Sequence, residues 1–198
     1  TSVTFPHWQF TDTDLRAFLR PSAQSQGPKL EAAIQSLKIR RLYDNRPGHG
    51  LNFAVPGCIL KSNELKVSFE NCLLDSAHLL DNAGWSFSAL SGQILQECIW
   101  PDARGDSARW GLRADNDVGH CLNLISRIKS YASNPHLAWM IDPPLGLQTI
   151  PDLIDEFLAN APRQTILRLD LSAVAFEANA REILVNAIGR KLLANARG

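Results

Sequence analysis

The 198-residue sequence predicts a mainly α protein with a minor β component. Three observations predict it. Apolar residues recur at i, i+3, i+4 and i+7 through most of the chain, the period of a helix with one buried face. Alternating or continuous apolar runs short enough for strands are few. Hydrophobic residues make up 45% and charged residues 20%, enough apolar material for a packed core and too much for a disordered chain.

The first helix starts at Thr11. Thr11 and Asp14 have the spacing of a capping box, and Leu15, Phe18 and Leu19 follow on one face. Pro21 ends it. Gly27-Pro28 opens a second helix, because proline at a first helical position has no N–H to satisfy. Leu30, Ile34, Leu37 and Leu42 form its apolar stripe. Asn45-Arg46-Pro47-Gly48-His49-Gly50 is a loop by its turn residues.

Residues 58–69 read as a small β-hairpin. Cys58-Ile59-Leu60-Lys61 is one arm, Ser62-Asn63 the turn, and alternating Leu65, Val67 and Phe69 the other arm. Helical spacing returns in 71–81 (Leu73, Leu74, Ala77, Leu80) and in 87–99 (Leu90, Ile94, Leu95, Cys98). Residues 100–116 are polar and predict a surface loop, with Trp100 and Trp110 at its flanks as a candidate interaction surface. Trp8 and Trp139 sit in apolar settings and read as core.

A helix near 117–132 places Leu124, Ile128 and Tyr131 together. Leu137–Ile141 reads as a short buried strand stopped by Pro143-Pro144. Pro151 starts a short helix carrying Ile154, Phe157 and Leu158. Thr165-Ile166-Leu167-Arg168-Leu169-Asp170-Leu171 is the clearest strand pattern in the chain. A helix from about Glu177 to Asn195 closes it, with Ala180, Ile183, Leu184, Ala187, Ile188 and Leu192 inward and Arg190, Lys191 and Arg197 toward its negative pole. A strand followed by a helix is half of a parallel unit and wants strand neighbours. Those neighbours are not evident, and the chain has no initiating Met, so it reads as a piece of something longer.

Twenty basic side chains balance twenty acidic ones, which argues against a nucleic-acid or membrane-surface patch over the whole chain. No apolar run reaches the roughly 18 residues of a membrane span, and the N-terminus lacks the pattern of a signal peptide. Four cysteines, at 58, 72, 98 and 121, have no Cys-x-x-Cys spacing. Reduced thiols and a cytoplasmic setting are therefore expected.

Catalytic patterns are sparse. There is no Gly-x-x-x-x-Gly-Lys-[Ser/Thr] loop, and Gly48-His49-Gly50 is a lone Gly-x-Gly. Asp142 and Asp170 each end an apolar run, where an acid could hold Mg²⁺ beside a nucleotide. Neither is followed by the Glu that would activate water, and both read better as turn residues. The histidines at 7, 49, 78, 120 and 136 lack zinc-site spacing relative to the cysteines. No catalytic, cofactor-binding or metal-binding residue is therefore assigned.

Four segments, in order, resemble passages of the HerA-like ATPases of the HerA/FtsK superfamily. The first is Phe5-Pro6-His7-Trp8-Gln9-Phe10-Thr11-Asp12-Thr13-Asp14-Leu15-Arg16-Ala17-Phe18-Leu19. The second is the polar link Ser22–Leu30. The third comprises Leu124–Ile128 and Pro135–Met140. The fourth is Thr165–Val174 with Phe176 and Glu177, similar to an "apolar strand, Asp-Leu-Ser-Gly-Val-Pro-x-Glu" passage, though Ala173 stands for its Gly and Ala175 for its Pro.

The resemblance implies a segment between the Walker A loop and the Walker B acids. Residues 1–20 would leave a RecA-like core, 21–162 would be a mostly helical insertion, and 163–198 a core strand and helix, a partial RecA-like α/β unit. The parent would be a hexameric, ATP-driven DNA translocase or helicase that uses ATP and Mg²⁺, acts on duplex DNA and works with a partner nuclease or effector. This chain alone would hold no cofactor and hydrolyse nothing. Arg127 and Arg181 are the candidates for arginines that reach a neighbouring subunit's nucleotide. The alternative is a stand-alone helical protein-interaction module without catalysis. An enzyme with a site assembled only in space is the third reading.

Overall fold

The computed structural model describes residues 3–54, 57–144, 146–160, 165–172, 174 and 179–197. The chain divides into two compact units. One is continuous, Pro21–Ser130; the other is made of both ends, Thr1–Arg20 and Tyr131–Gly198.

In the unit built from both ends, the N-terminal segment is extended. Thr4 pairs in parallel with Thr149, donating to the Gln148 carbonyl (3.1 Å) and accepting from Ile150 N–H (2.8 Å). Phe5 and His7 then donate to the carbonyls of Trp139 and Met140. Helix α1 (Asp12–Leu19) starts with the expected capping box. Thr11 Oγ1 accepts from Asp14 N–H, and the Asp14 carboxylate accepts from Thr11 N–H (3.0 Å) and hydroxyl (2.7 Å). The buried Asp14 also pairs with Arg190 of helix α7 (Ala180–Arg197), which packs on α1. Helix α6 (Ile150–Asn160) packs on α7, with Asp155 taking hydrogen bonds from Lys191 (2.7 Å) and Asn195 (2.8 Å).

The continuous unit is built on helix α2 (Gln26–Tyr43) and helix α4 (Phe87–Glu97), which pack together. Pro28 lies in the first turn of α2, as its missing N–H requires. Strands β1 (Phe53–Ala54) and β2 (Cys58–Ile59) pair antiparallel, Phe53 opposite Ile59. Helix α3 (Lys66–Ser76) runs into a 3-10 turn, Ala77–Asn82. Helix α5 spans Asp115–Ala132. Ile39, Tyr43, Ile59, Phe69 and Cys72 form a core cluster, with Phe53 and Trp110 packed against it.

Three strand expectations are corrected. The hairpin falls at 53–59 rather than 58–69. Asn63 takes a left-handed turn (φ 62°) and α3 starts directly after Leu65, so Leu65 and Val67 are exposed while Phe69, Cys72 and Ser76 are buried at helical spacing. Leu137–Ile141 is not a strand. Asn134 caps a 3-10 turn, Pro135–Leu137, and Met140 and Ile141 donate back to the Leu137 carbonyl, so the N–H groups of this stretch are spent locally while the Trp139 and Met140 carbonyls accept from Phe5 and His7. Thr165–Leu171 has no strand pairing within the described residues. The expected start of the last helix near Glu177, and Ala173, Ala175 and Phe176, lie outside the described residues. No described helix is long and apolar enough to cross a membrane.

Candidate interaction surface

The segment after α4 is more ordered than its polar composition suggests. Ala114 N–H donates to the Cys98 carbonyl, Trp100 N–H to the Leu112 carbonyl, Gly111 N–H to the Trp100 carbonyl and Ala103 N–H to the Arg109 carbonyl. These bonds make a narrow, irregular antiparallel hairpin, with Ile99 opposite Arg113 and Ala103 opposite Asp106. Gly111 permits it. A Cβ there would lie 2.6 Å from the Asp102 carbonyl oxygen and 2.6 Å from Trp100 Cβ.

The hairpin separates the two tryptophans that the sequence placed together. Trp100 is 60% exposed and lies beside Leu112, 69% exposed. Trp110 turns the other way, edge-on to Phe69 with ring centroids 5.6 Å apart. The Lys61 ammonium sits 4.1 Å from the Phe69 ring centre and 5.0 Å from that of Trp110. Backbone bonds from Trp110 to Glu64 and from Lys66 to Ala108 fix the same side.

Behind the hairpin lies a buried polar network that sequence reasoning missed. Lys61 Nζ donates to Glu97 Oε2 at 2.7 Å, with both side chains nearly inaccessible. Glu97 Oε1 accepts from the Ser36 hydroxyl (2.7 Å) and from Gln93 Nε2 (2.9 Å). Gln93 also reaches β2, accepting from Ile59 N–H (2.8 Å) and donating to the Ile59 carbonyl (3.3 Å). Its amide thus stands where a third strand would be. A signal was present: Gln93 and Glu97 are four apart on the face of α4 that carries Leu90 and Ile94. Both oxygens of the carboxylate are engaged, so the network ties α2, α4 and the segment after β2 together.

The four thiols are buried. Burial pushes each above its ordinary value, Cys98 up to about 12 with Cys121 as a second cause. They are protonated at neutral pH and poor nucleophiles.

The remaining candidates are dispersed. Arg127 is half-buried on α5. Arg181, at the start of α7, donates to the carbonyls of Val174 (2.8 Å) and Ser172 (3.5 Å). His7 is buried, its Nδ1 3.2 Å from the Met140 carbonyl and its Nε2 3.9 Å from Asp142. Asp142 is exposed and left-handed (φ 42°), and Asp170 accepts from Ser172 N–H, both as turn residues. That bond holds the Asp170 carboxyl below its usual value. His49 accepts from Leu51 N–H beside the Tyr43 and Phe53 rings. Among the described residues, no three His, Cys, Asp or Glu side chains converge as a metal would require. No family model, no curated protein and no solved structure matches the chain.

Proposed function

We propose that this chain is the stretch between the phosphate loop and the Mg²⁺-holding acids of a HerA-like ATPase. Its role there is structural: ring assembly or partner contact in an ATP-driven DNA translocase or helicase. The observation that carries the reading is the ordered set of four sequence passages from Phe5 to Glu177. The division of the chain supports it as well. A continuous unit that starts at Pro21, as the insertion was expected to, interrupts a unit made of both ends, although it stops at Ser130 and leaves 131–162, expected in the insertion, with the ends. Phosphoryl transfer needs the loop lysine, Mg²⁺ and its acid, and an arginine in trans. The chain supplies at most the last of these, with Arg127 and Arg181 as candidates.

The test is the reading frame on both sides of this stretch. An upstream Gly-x-x-x-x-Gly-Lys-[Ser/Thr] and a downstream apolar strand ending in Asp-Glu support the reading. A frame that starts and stops near Thr1 and Gly198 overturns it. ATP turnover by the purified chain alone would also overturn it.

A second reading, a helical interaction module without catalysis, is favoured by one observation. Trp100 and Leu112 are held outward on an ordered hairpin whose inner face is anchored through Trp110. Large exposed aromatics on rigid supports are common at the centres of protein interfaces.

A further inference from the structure

Charge in the Pro21–Ser130 unit is sorted by sign. Ion pairs within the unit engage both signs on α2, α4, α5 and the hairpin after α4. Among the described residues, Glu70, Asp75 and Asp81 take neither an ion pair nor a side-chain hydrogen bond. All are exposed, and all lie on α3 or the 3-10 turn that continues it. Lys38, Arg41 and Arg46 have no acid either, and they lie at the C-terminal end of α2 or just past it. Arg41 and Arg46 are exposed. Asp44, the acid in that stretch, is taken by Arg40. Arg104, at the tip of the hairpin, is unpaired as well.

We propose that the basic end of α2 docks on the acidic face of α3 in a second copy of the chain, head to tail. Charge complementarity selects the occupant: each copy carries the counter-surface the other needs. The acidic face has an apolar centre as well, because Leu74, 74% exposed, lies between Glu70 and Asp75. Direction selects the geometry. Ile39 and Tyr43 of α2 pack in one cluster with Phe69 and Cys72 of α3. Lys38 and Arg41 lie about 150° around α2 from Ile39 and Tyr43, at 100° per residue. Glu70 and Leu74 lie on the side of α3 away from its buried Phe69, Cys72 and Ser76. The two charged faces therefore point away from each other across the α2–α3 layer. A two-fold dimer cannot satisfy both at once, and like faces repel. A head-to-tail contact uses one face from each copy and leaves one of each sign open, so it propagates to a ring or a filament.

The contact names a surface for the ring-assembly role without resting on the ATPase reading, because the reading-frame test and self-association vary independently. The experiment is sedimentation velocity on the whole chain from about 1 to about 500 μM, at about 20 mM and about 500 mM NaCl. Association that grows with concentration at low salt and is lost at high salt is expected. Arg41→Glu/Arg46→Glu and Glu70→Lys/Asp75→Lys each set like charges against each other and should weaken it by about tenfold or more. An equimolar mixture of the two variants should associate again, since the intact acidic face of one meets the intact basic end of the other. Arg104→Glu/Arg197→Glu shifts the net charge as far as the first variant but leaves both faces intact, and should associate as the unaltered chain does. Circular dichroism checks that each variant is folded. A chain that stays monomeric at low salt overturns the proposal. So does association indifferent to the face variants, a mixture that does not reassociate, or a control that loses association as the face variants do.

Discussion

Replacing Lys61 by Met tests the role of the buried network. The methionine keeps most of the stem's volume against Phe69 and Trp110, so the change is chiefly the loss of the ammonium. Glu97 is then left 6% exposed with the Ser36 and Gln93 donors but no cation. Removing one partner of a buried pair typically costs about 3–5 kcal/mol, because the remaining charge is uncompensated. The two surviving hydrogen bonds place the expected loss at about 3 kcal/mol, a large share of the roughly 5–15 kcal/mol that holds a domain folded. Lys61→Met/Glu97→Gln removes both charges and keeps an oxygen for Ser36 and Gln93. Its cost should be about 1 kcal/mol, which gives a coupling energy of several kcal/mol in the double-mutant cycle. Urea titration followed by tryptophan fluorescence measures the loss. Amide exchange at Ile59, whose N–H is held by Gln93, localises it. A Lys61→Met loss below about 1 kcal/mol, or a double variant as unstable as the sum of the singles, would refute the reasoning.

Gly111→Ala drives a methyl into the Asp102 carbonyl and Trp100 Cβ, and should cost about 1–3 kcal/mol and change the Trp100 emission on urea titration. Gly119→Ala should do the opposite: it lies within α5 with nothing within 4 Å, and a gain of about 0.5–1 kcal/mol is expected by thermal melting. Thr11→Ala removes the capping box of α1 and should cost about 1 kcal/mol in the same assay. Alkaline stability should fall between pH 9 and about 12. The folded Cys98 thiol keeps its proton through that window while the unfolded one, at its ordinary 9.0, releases it. The unfolded chain then binds fewer protons, so each pH unit costs up to about 1.4 kcal/mol, and Cys98→Ala should flatten the slope of unfolding free energy against pH.

What was legible in the sequence was what neighbours along the chain decide. The α1 box depends on Thr11 and Asp14 alone, and the stripes of α2, α4 and α5 follow from spacing within each helix. The strands were not legible, because each is only two residues long, too short for a period to show. β2 is completed by a glutamine from α4, and no pattern within 53–59 announces that. Leu65, Val67 and Phe69 alternate as a strand would, yet Phe69, Cys72 and Ser76 bury more when the stretch is helical. The surface was half legible. Trp100 and Trp110 stood out, but which of them faces outward is decided by Lys61, on another element.

That dependence gives the ion pair a role that stability alone does not. A well-packed apolar pair of similar volume often matches or exceeds a buried salt bridge in stability. Register is a different matter. β2 is two residues long and carries few ladder bonds of its own, so little in the strand resists a shift. Gln93 grips Ile59 while Glu97, one helical turn on, grips Lys61, and the two contacts fix the segment against α4 at two points. A slip of one residue would break both and leave an ammonium and a carboxylate buried without partners, each at a cost of several kcal/mol. Lys61 held in place also holds Trp110, and Trp110 sets the inner face of the hairpin. An apolar pair would tolerate the slip and with it a rotated hairpin. The buried charges therefore keep Trp100 and Leu112 on the outer side.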